Sequence, residues 1–258
     1  MKKYITNKYS LTILGIIAFF LIWYIIYLAT GKDIYIFPGP VDVIKEAFSY
    51  FGDSFLYKCM WESLYRMLIG FSAGAILGIA LGMVVGNYTS VKYAFNPTII
   101  ALRSIPTAAL VFLLLSLAGF SNASLYIVII IVFPMVYEAT VSGYRHIDPY
   151  VLMAMRVDSH NSFTNNFKIK LPLSFPYIMV GLTSSFALSF KIELMAEVIT
   201  SSSESYGLGR AISVSFSQQT NGLISTFAYA FIAILLMLVV SLIVYILKRN
   251  TTLKNLSD

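Results

Sequence analysis

The sequence predicts an all-α membrane protein, a polytopic bundle of about six helices. Of its 258 residues, 58% are hydrophobic and only 12% are charged, and the mean hydropathy is +0.79. A soluble domain has roughly a quarter of its residues charged, so most of the surface of this chain must contact lipid. The apolar residues also fall into successive segments with short polar gaps, so we expect one transmembrane domain over residues 1–258.

Six apolar segments are long enough to cross a bilayer, which takes about 20 helical residues. They cover approximately residues 11–29, 64–85, 98–117, 125–141, 177–200 and 223–247. The first segment follows basic residues, as in a signal peptide, but no A-x-A cleavage site comes after it, and we interpret it as a retained helix. Pro40 then begins the pattern of a short amphipathic helix at the membrane surface.

The basic residues predict the orientation of the chain. They are concentrated after every second span: Lys92, Arg145, Arg156, Lys168, Lys170, Lys248, Arg249 and Lys254. The opposite loops carry balanced charges or almost none. Because cytoplasmic loops are enriched in Lys and Arg, we predict a multi-pass protein of the cell (plasma or inner) membrane with both termini in the cytoplasm. This distribution accounts for the net charge of +6. No basic stripe or stacking platform suggests a nucleic-acid partner.

Side chains for metal or catalytic chemistry are scarce in this sequence. Cys59 is the single cysteine, and His146 and His160 are too few and too far apart for a zinc motif. A phosphate-binding loop is missing too, since Gly31-Lys32 is followed by Asp33. We therefore predict no cofactor, no metal site and no catalytic residue, and we expect any ATP hydrolysis to occur on a separate chain.

The second span has a glycine at every fourth position. These residues are Gly70, Gly74, Gly78, Gly82 and Gly86. On a helix they form a smooth stripe that lets another backbone approach closely in lipid. The spacing predicts that this helix packs inside the bundle.

Four ionisable residues fall within predicted spans, where a charge is costly unless it is paired or hydrated. They are Arg103 in the third span and Lys191, Glu193 and Glu197 in the fifth. Glu193 and Glu197 share a helix face and repel one another unless a cation or proton intervenes, while Lys191 lies on a different face. Either these residues line a polar translocation path or they form structural ion pairs between helices, with Arg103 as one partner.

The polar stretch between spans four and five, residues 143–172, has the pattern of two short helices. Pro149 can open the first, and Val151, Leu152 and Met155 place apolar side chains on one face. A turn follows, and Phe163 begins the second helix. A connecting loop has no need of so many apolar residues, so we expect a projecting knob that fits the groove of a partner.

This stretch resembles the coupling loop of the permease subunits of ABC importers. The residues that carry the resemblance are Gly143, Met153, Ala154, Arg156, Ser159, Leu171 and Pro172. In that family the pattern is Glu-Ala-Ala, a later glycine and a final Leu-Pro, and the loop docks into the ATP-binding subunit. Here Met153 stands in place of the acidic residue and Ser159 in place of the glycine.

Further matches, in order from about residue 12 to about residue 248, resemble the branch that imports sulfonates, taurine, nitrate and related small molecules. They include Phe37-Pro38-Gly39-Pro40, Ser63-Leu64-Tyr65-Arg66, Leu102-Arg103-Ser104-Ile105-Pro106, Ala196-Glu197 and Gly207-Leu208-Gly209. The charges of Lys191 and Glu193 depart from the largely apolar pattern of related permeases.

The resemblance implies a type I ABC importer permease that forms the translocation path for a small solute. Its implied partners are an ABC ATPase subunit, an extracytoplasmic substrate-binding protein, a second permease copy (a homodimer) and membrane lipid. The alternative is an ion-coupled secondary transporter that uses Glu193 and Glu197 and functions without a nucleotide. A membrane-embedded enzyme is disfavoured because no polar catalytic constellation is present.

Overall fold

A computed structural model describes the backbone of residues 8–119, 122–158, 162–200, 206–218 and 222–254. Within these ranges the chain is helical, with connecting turns and no β-strand, which confirms the predicted fold class. The helices are α1 (Lys8–Ala29), α2 (Pro40–Tyr50), α3 (Ser54–Asn87), α4 (Thr89–Ser104), α5 (Thr107–Ala118), α6 (Ala123–Arg145), α7 (Pro149–Asp158), α8 (Ser162–Asn165), a π turn (Asn166–Lys170), α9 (Leu171–Ile199), α10 (Leu208–Phe216) and α11 (Gly222–Lys254).

Five helical segments are long and apolar enough to cross a membrane: α1, α3, α6, the π turn with α9, and α11. The predicted third span is instead two helices, α4 and α5, which meet at an angle of 96°. The break comes at Ile105, whose backbone is extended (φ −70°, ψ 126°). Pro106 restricts the preceding residue to such a conformation and has no N–H with which to continue α4. With this pair counted as one bent crossing, the described ranges contain six candidate spans, which is the predicted number.

By its internal contacts the chain divides into two compact units. We call residues 61–210 the central unit and residues 1–60 with 211–258 the terminal unit.

In the central unit, the glycine stripe of α3 lies against α6. A methyl group added to any of the five glycines would come within 2.6–2.9 Å of an atom of α6. The opposing residues are themselves four apart: Val128, Val132, Val136, Thr140 and Tyr144. The residue numbers rise together along both helices, so α3 and α6 run in the same direction at close approach.

Helix α9 packs against α6 in the opposite direction. Gly143 of α6 lies against Ser174 and Tyr177 near the start of α9, and Gly181 further along α9 contacts Ala139. Since α3 and α6 are parallel, the chain must return to its starting side between them. The bent pair α4 and α5 therefore crosses the membrane rather than re-entering from one side.

The core of the central unit is apolar and draws on α3, α5, α6 and α9. Its buried members are Ala75, Val111, Ile127, Val128, Val132, Val136, Ile192 and Ala196. Van der Waals packing of these side chains stabilises the contacts among the helices of this unit.

In the terminal unit, the amphipathic helix α2 packs on α11. Val43 and Ala47 are buried on its inner side, and Tyr50 stacks on Tyr229 of α11 with ring centroids 4.6 Å apart. Helix α1 is held at its end, where Trp23 Nε1 donates a hydrogen bond to the carbonyl of Pro38 (3.1 Å). No part of its membrane-spanning window is buried. The outward-facing side chains of α1 are therefore placed to contact other apolar groups.

Candidate functional site

A buried polar cluster surrounds Glu197, near the end of α9. The Glu197 carboxylate accepts hydrogen bonds from Ser63 Oγ (2.7 and 2.9 Å to its two oxygens), from Arg66 Nη1 (3.1 Å) and from the Gly209 N–H (2.8 Å). Only 4% of Glu197 is exposed, and 15% of the Arg66 side chain. Two elements far apart in sequence, α3 and the start of α10, are thus joined to α9 through one charged group.

The same cluster fixes the backbone that leads into α10. Arg66 Nη1 also donates to the carbonyl of Tyr206 (2.8 Å), and the Leu208 N–H donates to Ser63 Oγ (2.9 Å). A side chain on Gly207 would clash with the Glu197 carboxylate, and one on Gly209 would clash with the carbonyl of Leu194. The two glycines therefore allow the backbone to approach α9 closely enough to form these bonds. We call Ser63, Arg66, Glu197 and residues 206–209 the latch.

Glu193 lies one turn before Glu197 but in a different environment. It has no exposed surface, and neither of its carboxyl oxygens has a hydrogen-bond partner in the described part of the chain. Buried Ser124 at the start of α6 is close enough to interact with it electrostatically. Its helix neighbours Ile192 and Ala196 belong to the apolar core. An ionisable group in such a place marks a functional position by default.

Lys191 lies on the other side of α9 and is exposed. Within the described ranges it forms no hydrogen bond or ion pair. The exposed positions one and two turns earlier are small or hydroxylated: Ala187, Ser184 and Thr183. α9 thus has a buried side with two carboxyl groups and an exposed side with one cation.

Arg103 pairs with a residue that the sequence analysis did not single out. It is the next-to-last residue of α4, at the bend before Pro106, and its guanidinium forms an ion pair with Glu138 of α6. Both side chains are about half exposed, 50% and 44%. Of the two alternatives left open by the sequence, an interhelical ion pair is formed by Arg103, but its partner is Glu138 rather than a glutamate of α9, and Glu197 pairs with Arg66.

The predicted coupling segment contains the expected short helices α7 and α8. Gly143 packs against Ser174, where a side chain would bring atoms within about 2.9 Å. On α7, Met153 is 60% exposed, Ala154 is exposed and Met155 is buried. Ser159 lies outside the described residues, and the side chain of Arg156 is not described. The segment thus presents part of its apolar surface outward.

The coupling segment continues into α9 without interruption. α8 is followed by the π turn, and Leu171 and Pro172 then form the first residues of α9. Lys170 Nζ donates a hydrogen bond to Asn87 Oδ1 at the end of α3 (2.6 Å). π turns within helices occur often at functional sites. The latch lies at the opposite end of the same helix.

The structure therefore separates the residues predicted from sequence into distinct places. The coupling residues lie at one end of α9 and Glu197 at the other, with Lys191 and Glu193 on different sides between them. Arg103 is at the bend of α4 and α5. Ser63, Arg66, Gly207 and Gly209 were matched to family motifs, but their meeting around Glu197 was not predicted.

Comparisons with known proteins agree with this architecture. Residues 74–252 match the family described as binding-protein-dependent transport system inner membrane component. The chain is 28% identical over 184 residues to a probable ABC transporter permease protein of Brucella melitensis, covering 71% of this chain and 74% of that protein. It is 28% identical over 193 residues to a nitrate import permease protein of Synechocystis, covering 69% and 67%. Its fold resembles a chain of the MetNI methionine ABC transporter, with a TM-score of 0.59, 16% identity, and coverage of 74% of this chain and 95% of that one.

Proposed function

The chain belongs to the family of binding-protein-dependent transport system inner membrane components, and we propose that it forms the solute path of an ABC importer. The single observation that carries this proposal is the family match over residues 74–252. That range includes the coupling segment, all of α9 and most of the latch. It makes the chain a membrane-spanning permease subunit, and the solute we propose is small, of the sulfonate, taurine or nitrate type.

The proposed partners follow from this role. A separate ABC ATPase subunit would dock on the coupling segment, where exposed Met153 and Ala154 of α7 provide an outward surface. A substrate-binding protein would deliver solute on the other side of the membrane. A second, identical copy of the chain would complete the path, and the exposed apolar face of α1 would contact lipid. Both termini would lie in the cytoplasm, as the loop charges favour.

The proposed mechanism is gating rather than chemistry on the solute. Closure of the ATPase would move α7 and α8, and this motion would pass through the π turn into α9. The latch at the far end of α9 would hold one arrangement of the bundle until that motion arrives. Of the four proposed path residues, Arg103 and Lys191 are exposed here, whereas Glu193 and Glu197 are buried and would meet solute only in another arrangement.

The test is copurification and ATP-driven uptake with the partner ABC ATPase subunit. Ala154→Asp and Arg156→Glu should each release the ATPase, because they place or reverse a charge in the proposed coupling segment. Tyr35→Ala, at a 62% exposed position outside the coupling segment, is the matched control and should retain it.

Two results would overturn the proposal. One is an ATPase that stays bound through both changes in the coupling segment. The other is uptake by the purified chain alone, driven by an ion gradient, which would favour the ion-coupled transporter that uses Glu193 and Glu197.

A further inference from the structure

The exposed side of α9 carries a polar face along the middle of a membrane-spanning helix. We define the polar face as Thr183, Ser184, Ala187 and Lys191, all of which are exposed. Their spacing of three or four residues places them in one row. The row extends over about 12 Å at the helical rise of 1.5 Å per residue.

Lys191 is the charged member of this row, and no group on its own helix offsets the charge. Glu193 is two residues further on, which is more than half a turn around the helix, and its side chain is buried. In the described residues Lys191 has no hydrogen bond or ion pair. It is eight residues, about 12 Å, before the last residue of α9, farther than a lysine side chain extends.

Lipid is an unsuitable neighbour for this face. A lysine at the centre of a membrane-spanning helix costs about 2.5–3.5 kcal/mol to insert. Hydroxyl and methyl side chains next to it also offer little apolar surface to acyl chains. Charged residues in such helices face a water-filled cavity or the bundle interior.

We propose that the polar face lines the water-filled solute path and that Lys191 makes this path selective for anionic solutes. This inference rests on the proposed function as a permease. The ammonium group attracts an anion and offers three N–H donors, and the hydroxyl group of Ser184 lies in the same row to donate to its oxygens. The Thr183 hydroxyl instead donates to the carbonyl of Met179 within α9 (2.6 Å). The carboxyl group of Glu193 does not cancel this charge at the surface, because it points into the core.

The test measures the charge preference of the face directly, with small thiol reagents as probes. Ala187→Cys is made in the full transporter with its ATPase and binding protein, reconstituted in liposomes. The rates of reaction with an anionic (sulfonatoethyl) and a cationic (trimethylammonioethyl) methanethiosulfonate are compared, with Lys191 present and after Lys191→Gln. We expect both reagents to react, and we expect the anion-to-cation rate ratio to fall by about tenfold after Lys191→Gln, as the loss of one charge about 6 Å away implies. Lys191→Arg should preserve the ratio.

The control for access is Ile17→Cys on the exposed apolar face of α1, which should resist both charged reagents. The unmodified chain, whose Cys59 is fully buried, gives the background. Failure of both reagents to reach Ala187→Cys would overturn the proposal by placing this face against lipid or a second copy. An unchanged rate ratio after Lys191→Gln would overturn the anion selectivity. Neither result depends on ATPase binding, so each is distinct from failure of the proposed function.

Discussion

α1 and α9 are both long apolar helices with a continuous exposed face, and the two faces differ in chemistry. On α1 the exposed side chains are large and apolar, including Leu14, Ile17 and Ile25. On α9 the exposed row in the middle of the helix is Thr183, Ser184, Ala187 and Lys191. A lipid-facing surface accounts for the first pattern but not the second, since hydrocarbon solvates neither the Ser184 hydroxyl nor the Lys191 ammonium.

The buried sides of the two helices differ as well. α1 buries nothing across its membrane window, whereas α9 buries two glutamates among core residues. Both segments are apolar enough to cross a membrane, although the mean hydropathy is lower for the π turn with α9 (1.4) than for α1 (2.5). Mean hydropathy does not say which side of a helix carries the polar residues. The separation becomes visible only when exposure is known residue by residue.

The largest loss in the free energy of unfolding is expected from Glu197→Ala, on the buried side of α9. It leaves the partly buried Arg66 guanidinium without its main partner, and breaking a buried ion pair costs about 3–5 kcal/mol. Thermal unfolding of the reconstituted chain should show a marked loss of stability. The matched control is Glu62→Ala, which removes the other ion-pair partner of Arg66, a 39% exposed carboxylate, and should cost less than about 1 kcal/mol. Equal effects of the two changes would mean that the latch is not a structural link.

The next largest effect is expected on the free energy of membrane insertion, which should differ between lysine substitutions on the exposed faces of α1 and α9. Ile17→Lys places a charge at the middle of α1 and should disfavour insertion by about 3 kcal/mol. Ala187→Lys on the polar face should be tolerated much better, because water already reaches that face in our proposal. The measurement is the inserted fraction of each variant in a glycosylation-mapping assay. If both variants insert equally badly, the contrast between the two faces is wrong.

A smaller effect is expected where α3 meets α6. Gly78→Val would force atoms into the backbone of α6, since even a methyl group there lies 2.8 Å from the Phe133 carbonyl oxygen. Overpacking of this kind costs about 1–3 kcal/mol. Ala80→Val, at an exposed position on the same helix, should leave the unfolding temperature nearly unchanged. A neutral Gly78→Val would show that the two helices can separate without loss of stability.

The local pattern of apolar residues and prolines was sufficient to predict where most of the helices lie. Each predicted apolar segment coincides with helix in the structure, although some helices begin well before the predicted span, as α3 does at Ser54, and Pro40 is the first residue of α2. The bend between α4 and α5 was missed, because residues 98–117 have the hydropathy of one continuous span. Pro106 carried a local signal for it, through the restriction that proline places on Ile105.

The candidate site was less predictable, for a physical reason. Ser63 and Arg66 lie 134 and 131 residues from Glu197, so their contact depends on how three helices pack rather than on any local spacing. The same holds for Arg103, whose partner Glu138 lies on a neighbouring helix. The positions of charged residues within the predicted spans identified four residues that require a partner or water, but they did not predict which residues those partners are.

Because α8, the π turn and α9 are continuous, we expect this helical segment to tilt as one rigid body. α9 alone rises about 43 Å, with Lys170 tied to Asn87 at one end and Glu197 at the other. A tilt of about 10° pivoted at Lys170 would carry the far end through about 7 Å, well beyond the reach of a hydrogen bond. Ser63, Arg66 and the Gly209 N–H must then either move together with α9 or lose their hydrogen bonds to Glu197. We therefore expect the hydrogen bonds of the latch to hold α9 in place until the tilt breaks them together, so that a gradual displacement at one end of α9 ends in a single release at the other.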